Sequence, residues 1–399
     1  YSLRTVNLPS GLTHMMNGVV EGCRSLETLH LPAKLESIHG SWPSSLKTIT
    51  TAFGSVRYVS EDGILYDTQE NSIVFVNASI TGHVTVRDGI TKIGEGAFSG
   101  RTGLTGITLP ESCTVIDSYA FENCTALTDI NFPEKLELIG RNAFYNSSIT
   151  SLKLSQPGLH VGSFAFTDCH QLKSVEITST DFDMMEYAFA NCENLETAIL
   201  PPQVFRMEGG CFTECTSLTT VVLPKNITFV HGFKGCTSLK TIDIPDSVTS
   251  IGYEAFANCK SLESIHLPDG VTNIGGLAFA QCYALKEINL PDSLTTIGEE
   301  AFRGVPIAEV VIPANVTEIA DWTFYYNGEL RSLTLPDGLK KIGANAFCGA
   351  SKLQSVELPE SLEEIGDAAF RESGLTSITI PGNVKRLGGA FIYCKNLEK

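Results

Sequence analysis

Basic residues are scarce in this 399-residue chain, which carries 28 Lys and Arg against 45 Asp and Glu, for a formal net charge of −17 at pH 7. Such an excess of negative charge opposes binding to nucleic acids and to anionic membranes. Long apolar runs are also missing, and no stretch reaches the roughly 18 apolar residues that a membrane-spanning helix needs. The sequence therefore predicts no nucleic-acid partner and no membrane insertion within the chain, and the negative charge itself favours solubility.

Motifs that carry catalysis or hold cofactors are absent as well. The sequence has no glycine-rich phosphate loop, no Cys-x-x-Cys, no His-Glu-x-x-His and no Gly-x-Ser-x-Gly. Its eight histidines are scattered, and His30 and His266 lie far apart along the chain. These absences predict a protein that binds rather than catalyses, with no cofactor and no metal centre.

What the sequence has in abundance is one repeated unit, seen most clearly from Ile251 to Pro268. Its frame reads Ile-Gly-x-x-Ala-Phe-x-x-Cys-x-x-Leu-x-x-Ile-x-Leu-Pro. A fixed period in this range is typical of a leucine-rich-repeat solenoid. The phenylalanine recurs in steps of mostly 23 residues, at Phe98, Phe121, Phe144, Phe166, Phe189, Phe212, Phe233, Phe256, Phe279, Phe302, Phe324, Phe347, Phe370 and Phe391.

Each repeat is expected to form one coil of the solenoid. A strand such as Ser261–Leu267 alternates apolar and polar residues, and a turn opened by Pro268 follows it. The remainder, through Gly275 to Phe279, is expected to be a short extended piece, a tight corner at the glycine and a turn of helix. The predicted fold is an α/β repeat solenoid of about 16 coils of ~23 residues, with a parallel β-sheet on one face and short strand and helical turns on the other.

The whole chain, 1–399, is predicted to be a single solenoid domain with three regions. Residues 1–51 form irregular coils without the Ala-Phe element, as terminal repeats often do. Residues 52–90 break the period with short β-branched runs separated by turns such as Asp62-Gly63, which predicts a β-hairpin insertion. Residues 91–399 contain the regular repeats.

The chain starts at Tyr1, with neither an initiator methionine nor a signal peptide. We therefore expect a fragment or a mature form, whose targeting and anchoring segments lie outside this sequence.

Eight of the twelve cysteines stand three residues after the repeat phenylalanine. Other coils carry Ser147, Val305 or Ala350 at this position, so it is an inward site for a small side chain. Free buried thiols are therefore expected rather than disulfides. Cys211 lies close in sequence to Cys215, which leaves a thiolate metal site together with Cys192 and Cys236 as the alternative. The eight cysteines are Cys124, Cys169, Cys192, Cys215, Cys236, Cys259, Cys282 and Cys394.

Carboxylates follow the strand proline in many coils and should stack along one edge. A solvated acidic edge that opposes aggregation is the expected role. Calcium binding by carboxylates one strand spacing apart is the alternative. The residues are Glu111, Glu134, Asp246, Asp269, Asp292, Asp337 and Glu360.

The repeat frame resembles that of the BspA-like leucine-rich-repeat family. The match runs almost continuously from Thr91 to Leu397 and more loosely over the first 51 residues, and Glu61–Asp67 is similar to a hairpin found inside that family. The resemblance implies an extracellular, cell-surface protein that binds host proteins or other cells. The ligands of the family vary too widely for a binding residue to be carried over.

A binding site is expected among the side chains that point outward from the strands. One outward row is uniformly small and polar, which predicts a structural ladder of hydroxyl groups. The next row varies in chemistry, as a recognition surface does, although drift on an unused surface would look the same. In this row Ile199 and Val222 interrupt the alternation of apolar and polar residues. The candidate partner-binding residues are Glu176, Ile199, Val222, Asp243 and His266.

The resulting prediction is a non-enzymatic, extracellular or cell-surface protein that binds a protein or glycan of a host or neighbouring cell through its sheet face. Two alternatives stay open at this point. The chain could be a structural spacer that holds a functional module away from a cell wall, or a scaffold whose catalytic domain lies outside this sequence.

Overall fold

A computed structural model describes residues 3–398, apart from 17–18, 21, 39–41, 44, 180–182, 185, 205–206 and 208. The chain divides into two compact units, Tyr1–Glu193 and Asn194–Lys399. In each unit a coil contributes strands to two ladders. The front ladder contains the strands of the Leu-x-x-Ile-x-Leu segment, and the rear ladder contains the short strands that end at the isoleucine before the repeat glycine. That the whole chain is one domain stays a prediction.

In the first unit both ladders are parallel outside the hairpin region, and neighbouring strands pair about one repeat apart. The front ladder has three sets: Thr5–Asn7, Thr28–Leu31 and Thr48–Thr51; Gly82–Thr85, Leu104–Thr108 and Asp129–Ile130; and Ser151–Leu154 with Ser174–Ile177. The rear ladder has His14–Met15 with Ser37–Ile38, and then Ser72–Val76, Lys92–Ile93, Val115–Ile116, Leu138–Ile139, His160–Val161 and Asp183–Met184.

The second unit repeats this arrangement. Its front-ladder strands pair as Thr197–Ile199 with Thr220–Val222, Thr241–Ile242 with Ser264–Ile265, and Glu309–Val311 with Ser332–Thr334. Its rear ladder contains Phe229–Val230, Ser250–Ile251, Asn273–Ile274 and Thr296–Ile297, followed by Glu318–Ile319, Lys341–Ile342, Glu364–Ile365 and Arg386–Leu387.

The hairpin region is part of the rear ladder. Strand Tyr58–Glu61 pairs antiparallel with Ile64–Asp67, which pairs antiparallel with Ser72–Val76. Ser72–Val76 then pairs in parallel with Lys92–Ile93, so the hairpin extends the edge of the sheet instead of standing apart from it. An ion pair of 2.9 Å links Arg57, just before strand Tyr58–Glu61, to the buried Asp67 at the end of strand Ile64–Asp67, and so ties these two strands together.

The predicted α/β class, with helical turns, is wrong. The described residues form strands and turns and contain no helix, so the fold is a β-solenoid of about 16 turns with parallel ladders. No segment in the described part of the chain is therefore a helix able to cross a membrane.

The backbone around the repeat phenylalanine explains why no helix forms there. Leu277 and Gln281 have φ values of 57° and 62°, and a left-handed residue cannot continue a right-handed helix. The N–H groups of Leu277, Phe279 and Gln281 donate to carbonyls of the following coil at 2.8–2.9 Å, whereas those of Ala278 and Ala280 close turns within their own coil. Alternate donors thus hold neighbouring coils together, and the segment acts as a third line of coil-to-coil hydrogen bonds.

The repeat phenylalanines form the centre of the core in both units. Their rings stack from Phe98 to Phe189 in the first unit and from Phe212 to Phe391 in the second. Neighbouring ring centroids are 5.0–5.7 Å apart and the ring planes lie within 24° of each other. Burial of one large ring per coil, in contact with the ring of the next, makes the stability of each coil depend on its neighbours.

The repeat glycine is required by close backbone contact. A Cβ atom added to Gly275 would lie 2.7 Å from the carbonyl carbon of Gly252 and 2.7 Å from the amide nitrogen of Tyr253, both in the preceding coil. Gly298 is even more crowded, at 2.3 Å from the amide nitrogen of Gly276. Backbone atoms cannot move aside as a side chain can, so the glycine sets how closely adjacent coils approach.

All twelve cysteines lie in the described part of the chain, and none forms a disulfide; ten are buried, while Cys23 and Cys394 are half-buried. The thiols that stand three residues after the repeat phenylalanine do more than fill space, since most of them donate a hydrogen bond to the carbonyl of the phenylalanine one coil before. Examples are Cys259 to Phe233 at 3.1 Å and Cys282 to Phe256 at 3.1 Å. Because burial disfavours the thiolate, the pKa of Cys282 is raised to about 12.

Candidate functional site

Two β-branched side chains lie next to each other on the outer surface of the front ladder in the second unit. Ile199 and Val222 are paired in register on adjacent parallel strands, and their exposed fractions are 36% and 49%. The preceding Ala198 is buried, so alternation along the strand turns Ile199 outward. The sequence predicted both the pairing of these two residues and their exposure.

Polar residues continue this surface along the ladder. Strand Thr241–Ile242 neighbours the strand of Val222, and it leads directly into the exposed Asp243. Asp243 and the exposed His266 line one open depression of about 380 Å³. The structure thus brings Ile199 to Val222 and Asp243 to His266, within one unit.

Glu176 occupies a different environment from the other four candidates. It lies in the first unit, in register with Lys153, and the Lys153 ammonium is 3.2 Å from its carboxylate. Both side chains are well exposed, so this ion pair contributes little to stability. The structure therefore gives Glu176 a local cationic partner.

One exposed apolar residue was not selected from the sequence. Val311 is 64% exposed on the front ladder and is paired in register with Thr334. The signal was present, because Val310-Val311-Ile312 interrupts the alternation in the same way as Val221-Val222-Leu223 does.

Two asparagines of the variable outward row have a structural role instead. The amide of Asn289 donates to the Leu267 carbonyl at 2.7 Å and accepts from the Leu267 N–H at 2.9 Å. Asn131 makes the same pair of bonds to Leu109. These side chains replace ladder hydrogen bonds of the backbone, so their identity is set by folding and not by a partner.

A second surface, formed by aromatic side chains, lies on the turn segment around Phe324. The ring centroids of Trp322 and Tyr325 are 4.6 Å apart and those of Tyr325 and Tyr326 are 4.2 Å apart. Arg303 of the preceding coil lies over the Tyr325 ring at 5.9 Å and pairs with Glu300 at 2.7 Å. A hydrogen bond to Tyr326 raises the pKa of Tyr325 to about 12, so the Tyr325 phenol is neutral at physiological pH.

The sequence carried a signal for this second surface that was not used. Between Ala320 and Asn327 the repeat frame is replaced by Ala-Asp-Trp-Thr-Phe-Tyr-Tyr-Asn, with only the phenylalanine retained. A local departure from an otherwise regular frame is where function is expected to override packing.

Metal chemistry has no support in the described residues. They contain no group of three or more His, Cys, Asp or Glu side chains arranged to hold a metal ion. In the region proposed as the alternative thiolate site, the Cys236 thiol donates to the Phe212 carbonyl at 3.3 Å, and burial raises its pKa well above the ordinary value.

Comparison with known proteins gives one family. The pattern described as "BspA type Leucine rich repeat region (6 copies)" matches residues 1–62, 69–157, 137–232, 230–331 and 317–399, which together cover nearly the whole chain. No curated protein matches the sequence.

Several solved structures are similar to this chain. A leucine-rich repeat protein from Bacteroides ovatus is 27% identical with a TM-score of 0.63, and the match covers 86% of this chain and 84% of that one. The pneumococcal vaccine antigen PcpA is 22% identical with a TM-score of 0.50, covering 82% and 92%. A leucine rich cell surface protein from Faecalibacterium prausnitzii is 24% identical with a TM-score of 0.49, covering 87% and 95%.

Proposed function

Because the chain belongs to the family of BspA-type leucine-rich-repeat proteins, we propose that it is a non-enzymatic cell-surface protein that binds a protein or glycan of a host or neighbouring cell through its front ladder. Leucine-rich-repeat proteins of this kind typically bind partners instead of catalysing reactions. Their stacked strands present side chains at fixed spacing over an extended surface, which suits recognition.

The observation that carries this proposal is the exposed pair Ile199 and Val222. Each coil could place a polar residue at this position, as most coils do, without loss of packing. Two adjacent β-branched side chains left in water have no evident benefit for folding, whereas a partner that covers them gains on the order of 1 kcal/mol from each. Asp243 and His266 supply a polar rim beside them, as expected at the edge of an interface.

The proposal is tested by a binding screen followed by a localisation. The immobilised chain is exposed to a panel of purified secreted host proteins and to a glycan array, and the Kd of the strongest binder is measured by surface plasmon resonance. We expect the double variant Ile199→Asp and Val222→Asp to raise the Kd of that binder at least about tenfold, because two charged side chains must then be desolvated at the centre of the interface.

Matched variants on the same ladder provide the control. Thr334 and Thr379 are exposed at equivalent outward positions, so Thr334→Asp with Thr379→Asp should leave the Kd unchanged. Both double variants should melt at the temperature of the parent chain, since all four side chains point outward. Equal loss of binding from both pairs, unchanged binding by both pairs, or no binder anywhere in the panel would contradict the proposal.

A further inference from the structure

The coil that contains Phe324 departs from the repeat frame at two buried positions. Thr323 replaces the buried alanine before the phenylalanine, and Asn327 replaces the buried cysteine after it. Asn327 is 0% exposed, and neither atom of its amide group has a hydrogen-bond partner. A buried unpaired polar group costs on the order of 1–3 kcal/mol, so this coil is not optimised for stability.

The backbone of the same coil carries a second cost. Trp322 and Tyr326 have φ values of 59° and 57°. Other coils carry asparagine at one of these positions, such as Asn142, or a single aromatic residue, such as Tyr119 or Tyr393, whereas this coil has an aromatic residue at both. Asparagine tolerates this conformation better than an aromatic residue does. The unpaired amide and the left-handed backbone at two aromatic residues both lower stability, and folding requires neither. Their occurrence in one coil indicates a function.

This coil contributes one exposed tyrosine ring, and the coil of Phe279 contributes another that also lies against a glycine of the next coil. Tyr326 is 58% exposed, and its ring lies against Gly349 of the next coil, within 2.7 Å of where a Cβ atom would be. Tyr283 is 54% exposed, and its ring lies against Gly304 of the coil after it, at 3.5 Å by the same measure. Each tyrosine thus rests on a glycine that leaves room for it, and Trp322 supports Tyr326 through Tyr325.

The two rings are separated by two coils. Gly304 and Gly349 belong to the coils of Phe302 and Phe347, and the phenylalanine centroids between them are spaced by 5.2 Å and 5.4 Å. The exposed rings are therefore about 10 Å apart along the direction in which coils stack. A ligand that covers both rings must therefore present two similar faces at this spacing.

The exposed area is too small for a protein partner. At roughly 200 Å² for a whole tyrosine, two half-exposed rings and the flanking aromatics offer a few hundred Å², against about 800 Å² per partner in a stable protein interface. Arg303, which lies over the Tyr325 ring, pairs with Glu300 at 2.7 Å, so these two residues add no net charge beside the aromatic side chains. Neutral sugars stack their C–H faces on aromatic rings and bond through hydroxyls to such polar neighbours.

We propose that Tyr283 and Tyr326 form a binding site for an extended β-1,4-linked glycan that runs along the coils. In such a chain successive sugars are inverted, so every second sugar presents the same face, and alternate sugars match rings two coils apart. This site is separate from the front-ladder pair and is tested with different residues, so either proposal can fail while the other stands.

The test measures the Kd of defined oligosaccharides for the full chain by isothermal titration calorimetry. Cellotetraose and chitotetraose distinguish a glucose from an N-acetylglucosamine polymer, cellobiose is too short to reach both rings, and maltotetraose has the wrong linkage. We expect at least one β-1,4 tetrasaccharide to bind about tenfold more tightly than cellobiose. Tyr283→Ala or Tyr326→Ala should each remove that gain, leaving the affinity of the disaccharide.

The control variant is Tyr253→Ala, which removes a tyrosine that is 58% exposed, like Tyr326, but stands before the repeat phenylalanine of its coil instead of after it, and it should bind as the parent does. Thermal melting of each variant shows that the fold is kept. Failure of both β-1,4 tetrasaccharides to bind, equal affinity for maltotetraose or cellobiose, or full affinity in Tyr326→Ala would overturn the proposal.

Discussion

Replacing Phe256 by alanine is expected to lower the free energy of unfolding by about 3–5 kcal/mol. The ring is fully buried and stacks on Phe233 and Phe279, each at a centroid distance of 5.5 Å. The stacked coils cannot collapse into the vacated space without breaking their ladders, so most of the cavity should remain. Urea denaturation followed by circular dichroism measures the loss.

The loss should also spread to neighbouring coils, because each coil is stabilised by the coils on either side of it. Phe53→Ala is the matched control, since Phe53 is fully exposed and its removal should change stability by less than about 0.5 kcal/mol. An unchanged melting temperature for Phe256→Ala would contradict the assignment of the phenylalanine ladder.

The thiols should be almost inert until the chain unfolds. Burial raises the pKa of Cys124, Cys169 and Cys282 to about 12, so at pH 8 their thiolate fraction is on the order of 10⁻⁴. A thiol reagent without reductant should therefore titrate only the half-buried Cys23 and Cys394 in the native chain and all twelve cysteines in denaturant. If fewer than half of the twelve cysteines reacted with the reagent after unfolding, disulfides would be indicated.

The same burial predicts alkaline instability. The unfolded thiol has its ordinary pKa of 9.0, below the folded value of about 12, so above pH 9 the unfolded chain binds fewer protons. The contribution of each buried thiol to the free energy of unfolding is therefore complete below pH 9. It is lost as the pH rises to 12, at about 1.4 kcal/mol for each thiol and each pH unit. A melting temperature that stays constant from pH 8 to pH 11 would contradict the assigned burial of the thiols.

The periodicity of Phe and Cys was sufficient to predict the solenoid and its core, because buried positions accept few side chains. The segment that ends at Phe279 was predicted to close with a turn of helix, and this prediction was wrong. The contrary signal was the occurrence of Asn and Gly two residues on either side of the phenylalanine in several coils, as at Asn142 and Asn146, where φ is positive.

Exposed candidate binding residues could be predicted only where they interrupt the alternation of apolar and polar residues that the repeat otherwise keeps. Ile199 and Val222 were found because they interrupt an alternation that packing does not require. Val311 breaks it in the same way and was passed over. The hydrogen bonds of Asn289 to the Leu267 backbone were not predictable, because the sequence does not tell whether an outward amide faces solvent or the neighbouring strand.

The central claim, that a partner binds on the front ladder, is tested most directly by hydrogen–deuterium exchange of the chain with and without the strongest binder of the screen. We expect slower exchange in the complex for the segments around 197–199 and 220–222, which carry Ile199 and Val222, and no change in the rear-ladder strands of the same coils. Slower exchange confined to the rear ladder, with the front-ladder segments unchanged, would contradict the claim.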